Sequence, residues 1–379
     1  LYDQPDGTLQ LFNSPANVPR IEYNADGTVK GLLLEEARTN LVTYSQDFSN
    51  ASWAAVRTAS LALDSVGPDG ESNSAVKLLD NSAGGTGTVY VRDTVTVSTS
   101  TTYTASVYAK ADQLSQIVLF ANAFTTPANN GFVFDLSNGT YSVYSGTPAI
   151  TAEMQSVDNG WYRCSITFTT DTTDTSGQIQ IYLYESGSVS VPLDGTSSVL
   201  LYGAQLEAGS FPTSYIPTTG STATRAADFA QIPTSAFGYN NDKGSLVIDV
   251  LTPVADQFIA LAHFNTSSYL NSRALLKGNP ALNASGDYFV FNSYDGAVTK
   301  FTIDQQTQAE YTKLGLSYGD NEKAVRDGGT VLSGTSRYPN PTRLFLGGRD
   351  NGLQSQCWIK SIKYYPRRLS DTQLQELTT

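Results

Sequence analysis

One histidine in 379 residues leaves little room for imidazole chemistry. A His-rich zinc site is excluded, and a nucleophile–His–acid triad has a single candidate base, His263. His263 stands between Ala262 and Phe264 in an apolar run, which favours a structural role over catalysis. Cysteine is equally scarce. Cys164 and Cys357 fall in different halves of the chain, which argues against a disulfide framework or a thiolate metal site and for two reduced core thiols. Charged residues make up 15%, with 23 basic against 35 acidic and a net charge of −12. Phosphate backbones and anionic membranes repel a chain of that sign, so nucleic acid is not an expected partner. No apolar run approaches the roughly 18 residues of a membrane span, and no basic segment leads into an apolar one at the start. The expectation is a soluble chain with no membrane insertion and no signal peptide. P-loop, G-x-G-x-x-G, G-x-S-x-G and H-E-x-x-H motifs are absent, and Gly84-Gly85-Thr86-Gly87 lacks the Lys-Ser/Thr of a phosphate cradle, so it reads as a loop.

Aromatic residues, by contrast, are abundant: 22 Tyr, 16 Phe and 3 Trp exclude an intrinsically disordered chain, and the length suits two domains. From Asn40 onward the dominant pattern is period two between Gly, Asn, Asp and Ser clusters, the mark of short half-buried strands. Tyr103, Ala105, Val107 and Ala109 form one row, and Thr104, Ser106, Tyr108 and Lys110 the other. In 178–184, Ile179, Ile181 and Leu183 point inward against Gln178, Gln180, Tyr182 and Tyr184; in 162–168, Cys164 joins a core row. Residues 1–39, broken by Pro5, Pro15 and Pro19 and by turns at Asp6-Gly7 and Asp26-Gly27, read as an extended strap. The strand rhythm breaks at 211–227 and then resumes. The expected fold is all-β: the strap at 1–39, then two tandem jelly-roll-type β-sandwiches at 40–218 and 219–379, then a short C-terminal helix. Ser370 and Gln373 make a capping box for that helix, with Leu369 and Leu374 at the staple positions.

Acidic chemistry is thin. None of the glutamates has an acidic residue two positions later, the same-strand arrangement that would set two carboxylates the roughly 5 Å apart a retaining glycosidase needs. Asp171, Asp174 and Asp194 could offer oxygen ligands to Ca²⁺, but Asp is also a turn former and no EF-hand-like spacing occurs, so no cofactor is expected and calcium is not favoured. If 104–110, 120–124 and 178–184 are neighbouring strands, their outward rows gather Tyr108, Phe120, Asn122, Phe124, Gln180, Tyr182 and Tyr184. Rings beside amides and hydroxyls suit sugar recognition, since rings stack on C–H faces while amides bond hydroxyl groups. Period two equally allows the strap or a neighbouring subunit to cover that face.

The stretch Gly31-Leu-Leu-Leu-Glu-Glu-Ala-Arg-Thr-Asn-Leu41, followed by Tyr44-Ser-Gln-Asp-Phe-Ser-Asn-Ala-Ser-Trp53, resembles the opening of carbohydrate-binding-module-like domains of bacteriophage tail fibres and other virion proteins. Asn159-Gly-Trp-Tyr-Arg163, Tyr202-Gly-Ala-Gln-Leu-Glu-Ala-Gly-Ser-Phe-Pro-Thr-Ser-Tyr-Ile-Pro-Thr218 and Arg225-Ala-Ala-Asp228 extend the resemblance over residues 20–228. The second half, through 313–318, 344–348 and 359–377, looks like a concanavalin A/laminin-G-type sandwich. The resemblance implies a non-enzymatic protein of the virion surface, in a tail fibre, head fibre or decoration, that binds host cell-surface glycans, contacts other virion proteins and forms a homotrimer. A purely structural spacer and a polysaccharide depolymerase are the alternatives. It also implies that Trp161 and Tyr215 are framework. Gly203-Ala204 stand where calcium-binding relatives often carry an acidic ligand, so the resemblance brings no metal site.

Overall fold

Alternating apolar residues build most of the chain into antiparallel strands, whose apolar rows meet in two separate cores. The computed structural model describes the chain outside residues 1, 4–8, 11–17, 25, 60, 146–149, 158, 253–258, 266–270, 278–286, 296–297, 307–309, 336, 338 and 349–355. The chain divides into two compact units, each a β-sandwich.

In the first unit one six-stranded sheet runs, in spatial order, Thr140–Ser145, Asn130–Asp135, Gln116–Asn122, Ser176–Tyr184, Tyr90–Thr96, Trp53–Val56. The facing sheet runs Ile150–Val157, Trp161–Thr169, Thr102–Ala111, Ser198–Ala208, Ala75–Leu79, Leu63–Ser65. The inward rows expected from period two meet between them: Ala105, Val107 and Ala109 pack with Ile179, Ile181, Leu183 and Cys164. The back of the second sheet is covered by residues 211–218 of the same unit. That segment is held by the polar side chains of the Tyr202–Thr218 motif: Glu207, fully buried, accepts from the Thr213 N–H at 2.8 Å and its hydroxyl at 2.6 Å. Gln205 accepts the Ile216 N–H at 2.8 Å. Residues 211–218 of the break in strand rhythm therefore belong to the body of the first unit, and exposed positions begin only at residue 219.

The second unit pairs a six-stranded sheet (Ala230–Pro233, Arg343–Leu346, Ile259–Asn265, Asn271–Lys277, Asp287–Asp295, Val298–Gln306) with a seven-stranded one. The latter runs Leu332–Thr335, Asn321–Arg326, Glu310–Tyr318, Gly244–Thr252, Cys357–Tyr365, Val29–Leu34, Ile21–Tyr23. Part of the N-terminal segment that reads as a strap is thus built into a sheet. Leu32, Leu33 and Leu34 pair with Ile359, Trp358 and Cys357, and Arg20 reaches Glu35 at 2.7 Å and also bonds Asp228. Short-range reading sees the prolines and turns; the pairing partner lies more than 300 residues away. The C-terminal helix Asp371–Thr378 carries the expected capping box, the Gln373 N–H donating to Ser370 Oγ at 3.2 Å and the Ser370 N–H to Gln373 Oε1 at 3.1 Å. Leu369 and Leu374 close the staple over Val325.

Cys164 and Cys357 are both free and buried, one in each unit. Burial alone pushes the Cys164 thiol far above its ordinary value, and burial together with Glu36 and Asp228 pushes Cys357 up to about 12. Neither thiol should react with Ellman's reagent in the native protein at pH 8. Two equivalents should appear in 6 M guanidinium, and native-state labelling at the unfolded rate would contradict the burial.

Candidate functional site

The outer face of the first sheet is where the chain concentrates rings and amides away from a core. Register fixes the rows. Tyr90 pairs with Tyr182 and Tyr182 with Val118; Arg92 pairs with Gln180, Gln180 with Phe120 and Phe120 with Gly131; Gln178 pairs with Asn122, and Tyr184 with Gln116. All these side chains share one face, because antiparallel partners point the same way.

The rings form a connected band. Tyr90 and Tyr182 stack with centroids 4.4 Å apart at 24°; Phe120 meets Tyr182 at 6.2 Å and Tyr144 at 5.9 Å, and Tyr144 meets Tyr184 at 5.8 Å. Phe120 can lie flat because Gly131 opposite has no side chain: a Cβ there would stand 2.3 Å from Phe120 Cδ2. Beneath the rings, Val118 and Val133 are buried. Through the band runs an amide chain. Tyr182 Oη donates to Gln180 Oε1 at 2.7 Å, Asn122 Nδ2 donates to the same oxygen at 3.3 Å, and Gln180 Nε2 donates to Gln178 Oε1 at 2.7 Å. Burial, reinforced by Tyr90 and Tyr144 against the opposing pull of Arg92, raises the Tyr182 hydroxyl to about 12. It remains a donor throughout the neutral and mildly alkaline range.

Of the residues that sequence spacing gathers here, Asn122, Tyr182 and Tyr184 are half-buried on the face. Phe120 and Gln180 are buried within it, supporting the exposed rings from below. Two residues lie elsewhere. Tyr108 belongs to the other sheet, since Thr102–Ala111 pairs with Trp161–Thr169 and Ser198–Ala208 and not with Gln116–Asn122. There it is 3% exposed, packed edge-on against Tyr202 and Tyr215 under residues 211–218, with the Arg163 guanidinium 5.3 Å from its ring centre. Phe124 faces the core, 5.0 Å from Phe168 and over Gly177, where a Cβ would clash with the ring at 2.1 Å. The strand ends at Asn122 and Ala123 takes φ 59°, so alternation stops one residue before Phe124. Trp161 and Tyr215, expected as framework, are buried beside Tyr108.

Tyr90, Arg92 and Tyr144 complete the face and were not among the expected residues. Tyr90 and Arg92 were readable, since they alternate with the core residues Val91 and Val95. Tyr144 was not, because Thr140–Ser145 carries Tyr141 and Val143 on its other face and both rows look alike.

The possible calcium ligands serve as turn residues. Asp174 accepts the N–H groups of Thr125, Thr126 and Asp171 at 2.7, 3.2 and 2.9 Å, which outweigh burial and hold its carboxyl below the ordinary range. Asp171 accepts the Thr173 N–H at 3.0 Å, and Asp194 the Thr196 N–H at 2.9 Å and hydroxyl at 2.7 Å. Among the described residues no group of three or more His, Cys, Asp or Glu could hold a metal ion. His263 is buried at 2% exposure in the second unit, against Phe345.

No family model and no curated protein matches the sequence. Solved structures do show likeness. The NanB sialidase of Streptococcus pneumoniae is similar over 39% of this chain and 26% of its own, with 14% identity and a TM-score of 0.32. The CBM40 of a Ruminococcus gnavus IT-sialidase, bound to α2,3-sialyllactose, is similar over 40% of this chain and 97% of its own, with 13% identity and a TM-score of 0.32. A heptameric SAP-like pentraxin from Limulus polyphemus is similar over 36% of this chain and 70% of its own, with 6% identity and a TM-score of 0.30.

Proposed function

We propose that the first unit is a non-enzymatic carbohydrate-binding module whose ligand lies across the band from Tyr144 to Tyr90. The observation that carries this reading is the connected set of half-buried rings interleaved with an amide chain on a sheet face that has its own apolar support. Rings offer C–H stacking surfaces, and Asn122, Gln178 and the tyrosine hydroxyls offer donors and acceptors to sugar hydroxyls. Hydrolysis would need two carboxylates, and the strands of this sheet bring one, Asp135, to the face. Asp135 is occupied by Gln116 at 3.0 Å and by the Ser137 N–H and hydroxyl at 3.0 and 2.6 Å.

The sequence resemblance over residues 20–228 supports a place on a virion surface, where several copies, three on that resemblance, would attach to host glycans with avidity. Tyr90→Ala and Tyr182→Ala should each lower glycan or host-cell binding about ten-fold or more. Tyr144, on the edge strand and 36% exposed, should lose binding on truncation with a stability change under about 1 kcal/mol. Glycan-array binding alongside thermal melts measures both. The spacer reading expects no binding at all, and a wild-type protein that binds no glycan would leave it in place.

A further inference from the structure

We propose that this face selects glycans bearing a carboxylate, with Arg92 as the anion's partner; the proposal rests on the glycan-binding reading of the same face. Among the face-side positions of the sheet stand one guanidinium, Arg92, and one carboxylate, Asp135. The two are far apart. Register places Asp135 two rows along the strands and three strands across from Arg92, about 13 Å by about 14 Å. That separation exceeds the roughly 8 Å screening length of physiological salt, so Asp135 does not neutralise Arg92. Among the described residues the Arg92 side chain makes no hydrogen bond and no ion pair. Arg20, Lys30, Lys77, Lys323, Arg326 and Arg368 each have a carboxylate partner, and Arg92 on this face does not.

The immediate surroundings keep the guanidinium available. Its register neighbours are Gln180, whose amide is already engaged, and Ala54, which is small and exposed. On its own strand the same-face neighbours are Thr94 and Tyr90. A pyranose lying on the stacked Tyr90–Tyr182 pair has the Arg92 position one row away, about 6.6 Å along the strand, within reach of an exocyclic carboxylate. The planar fork of arginine accepts a carboxylate through two parallel N–H bonds, a geometry that lysine cannot offer. Ring stacking then supplies contact with any sugar, and the ion pair discriminates the acidic one.

The test uses the full chain and a panel of uronate and other carboxylate-bearing oligosaccharides, each beside its carboxyl-reduced, neutral counterpart. Wild type should bind the acidic form about ten-fold more tightly at low ionic strength, with the preference shrinking in 0.5 M salt. Arg92→Gln should bind both forms alike, at the level of the neutral one, and Arg92→Lys should keep part of the preference. Tyr182→Ala should weaken both forms. Equal binding of the two forms by wild type, or a preference that survives Arg92→Gln, overturns the proposal and leaves glycan binding standing. Binding of neither form overturns the glycan reading and this proposal with it.

Discussion

Replacing Asn40 with alanine should destabilise the first unit by about 3–5 kcal/mol, a large loss for one neutral side chain. Asn40 is fully buried and uses its whole amide. Nδ2 donates to the carbonyl oxygens of Ile216 at 2.9 Å and Ala204 at 3.3 Å, while Oδ1 accepts the N–H groups of Val42 at 3.1 Å and Leu206 at 3.2 Å. One side chain therefore ties the Ser198–Ala208 strand to the segment that covers Tyr108 and Tyr202. Truncation removes four hydrogen bonds and leaves backbone groups buried without those partners, each costing about 1–3 kcal/mol before relaxation. Asn40→Asp should be no rescue, because it keeps the acceptor, loses both donors and adds a buried charge. Urea unfolding, followed through Trp53 and Trp161 in a Trp358→Phe background, reads the loss in the first unit alone. A loss below about 1 kcal/mol would show that apolar packing by itself holds residues 211–218 in place.

Features set by neighbouring residues were legible in the sequence. The capping box at Ser370 and the inward rows of Thr102–Ala111 and Ser176–Tyr184 follow from spacing within a few residues, and the structure contains them. Strand partnership is a different kind of information. Tyr108 alternates as faithfully as Tyr182, yet alternation assigns a face and not a neighbour, and pairing sends the two tyrosines to different sheets. Phe124 shows the other limit: a single left-handed residue, Ala123, reverses parity with no glycine to mark it. Val29–Leu34 was hidden for a third reason, since its partner Cys357–Tyr365 is almost a chain length away. The face itself was half visible, because Tyr182, Tyr184 and Asn122 lie on the pairing Gln116–Asn122 with Ser176–Tyr184, which is also adjacent in the fold.

Asp93→Asn is expected to stabilise the protein near neutral pH, against the usual direction of core substitutions. The alternation that places Tyr90 and Arg92 outside puts Asp93 inside, between Val91 and Val95, with Trp53 and Ile179 as register partners. It is 5% exposed, and burial, only partly offset by the Thr94 N–H, raises its carboxyl from 3.8 to about 6. Between those two values the folded chain holds a proton that the unfolded chain has released, so stability falls as pH rises through the window and stays lower above it. A shift of that size corresponds to about 3 kcal/mol at pH 7.5. An asparagine carries no charge to desolvate, although its amide must still be buried, so a gain of about 2 kcal/mol is expected at pH 7.5 and almost none at pH 4. Asp112, Asp135 and Asp174 move the opposite way, since hydrogen bonds outweigh burial and hold them below the ordinary value. They make the parent less stable in acid, but they are common to both proteins and cancel in the difference. Paired urea titrations from pH 4 to 8 measure that difference directly. A gain that grows between pH 4 and 7 identifies Asp93 as a buried charge that the fold tolerates, whereas a loss at every pH would mean that the carboxylate makes a bond that asparagine cannot replace.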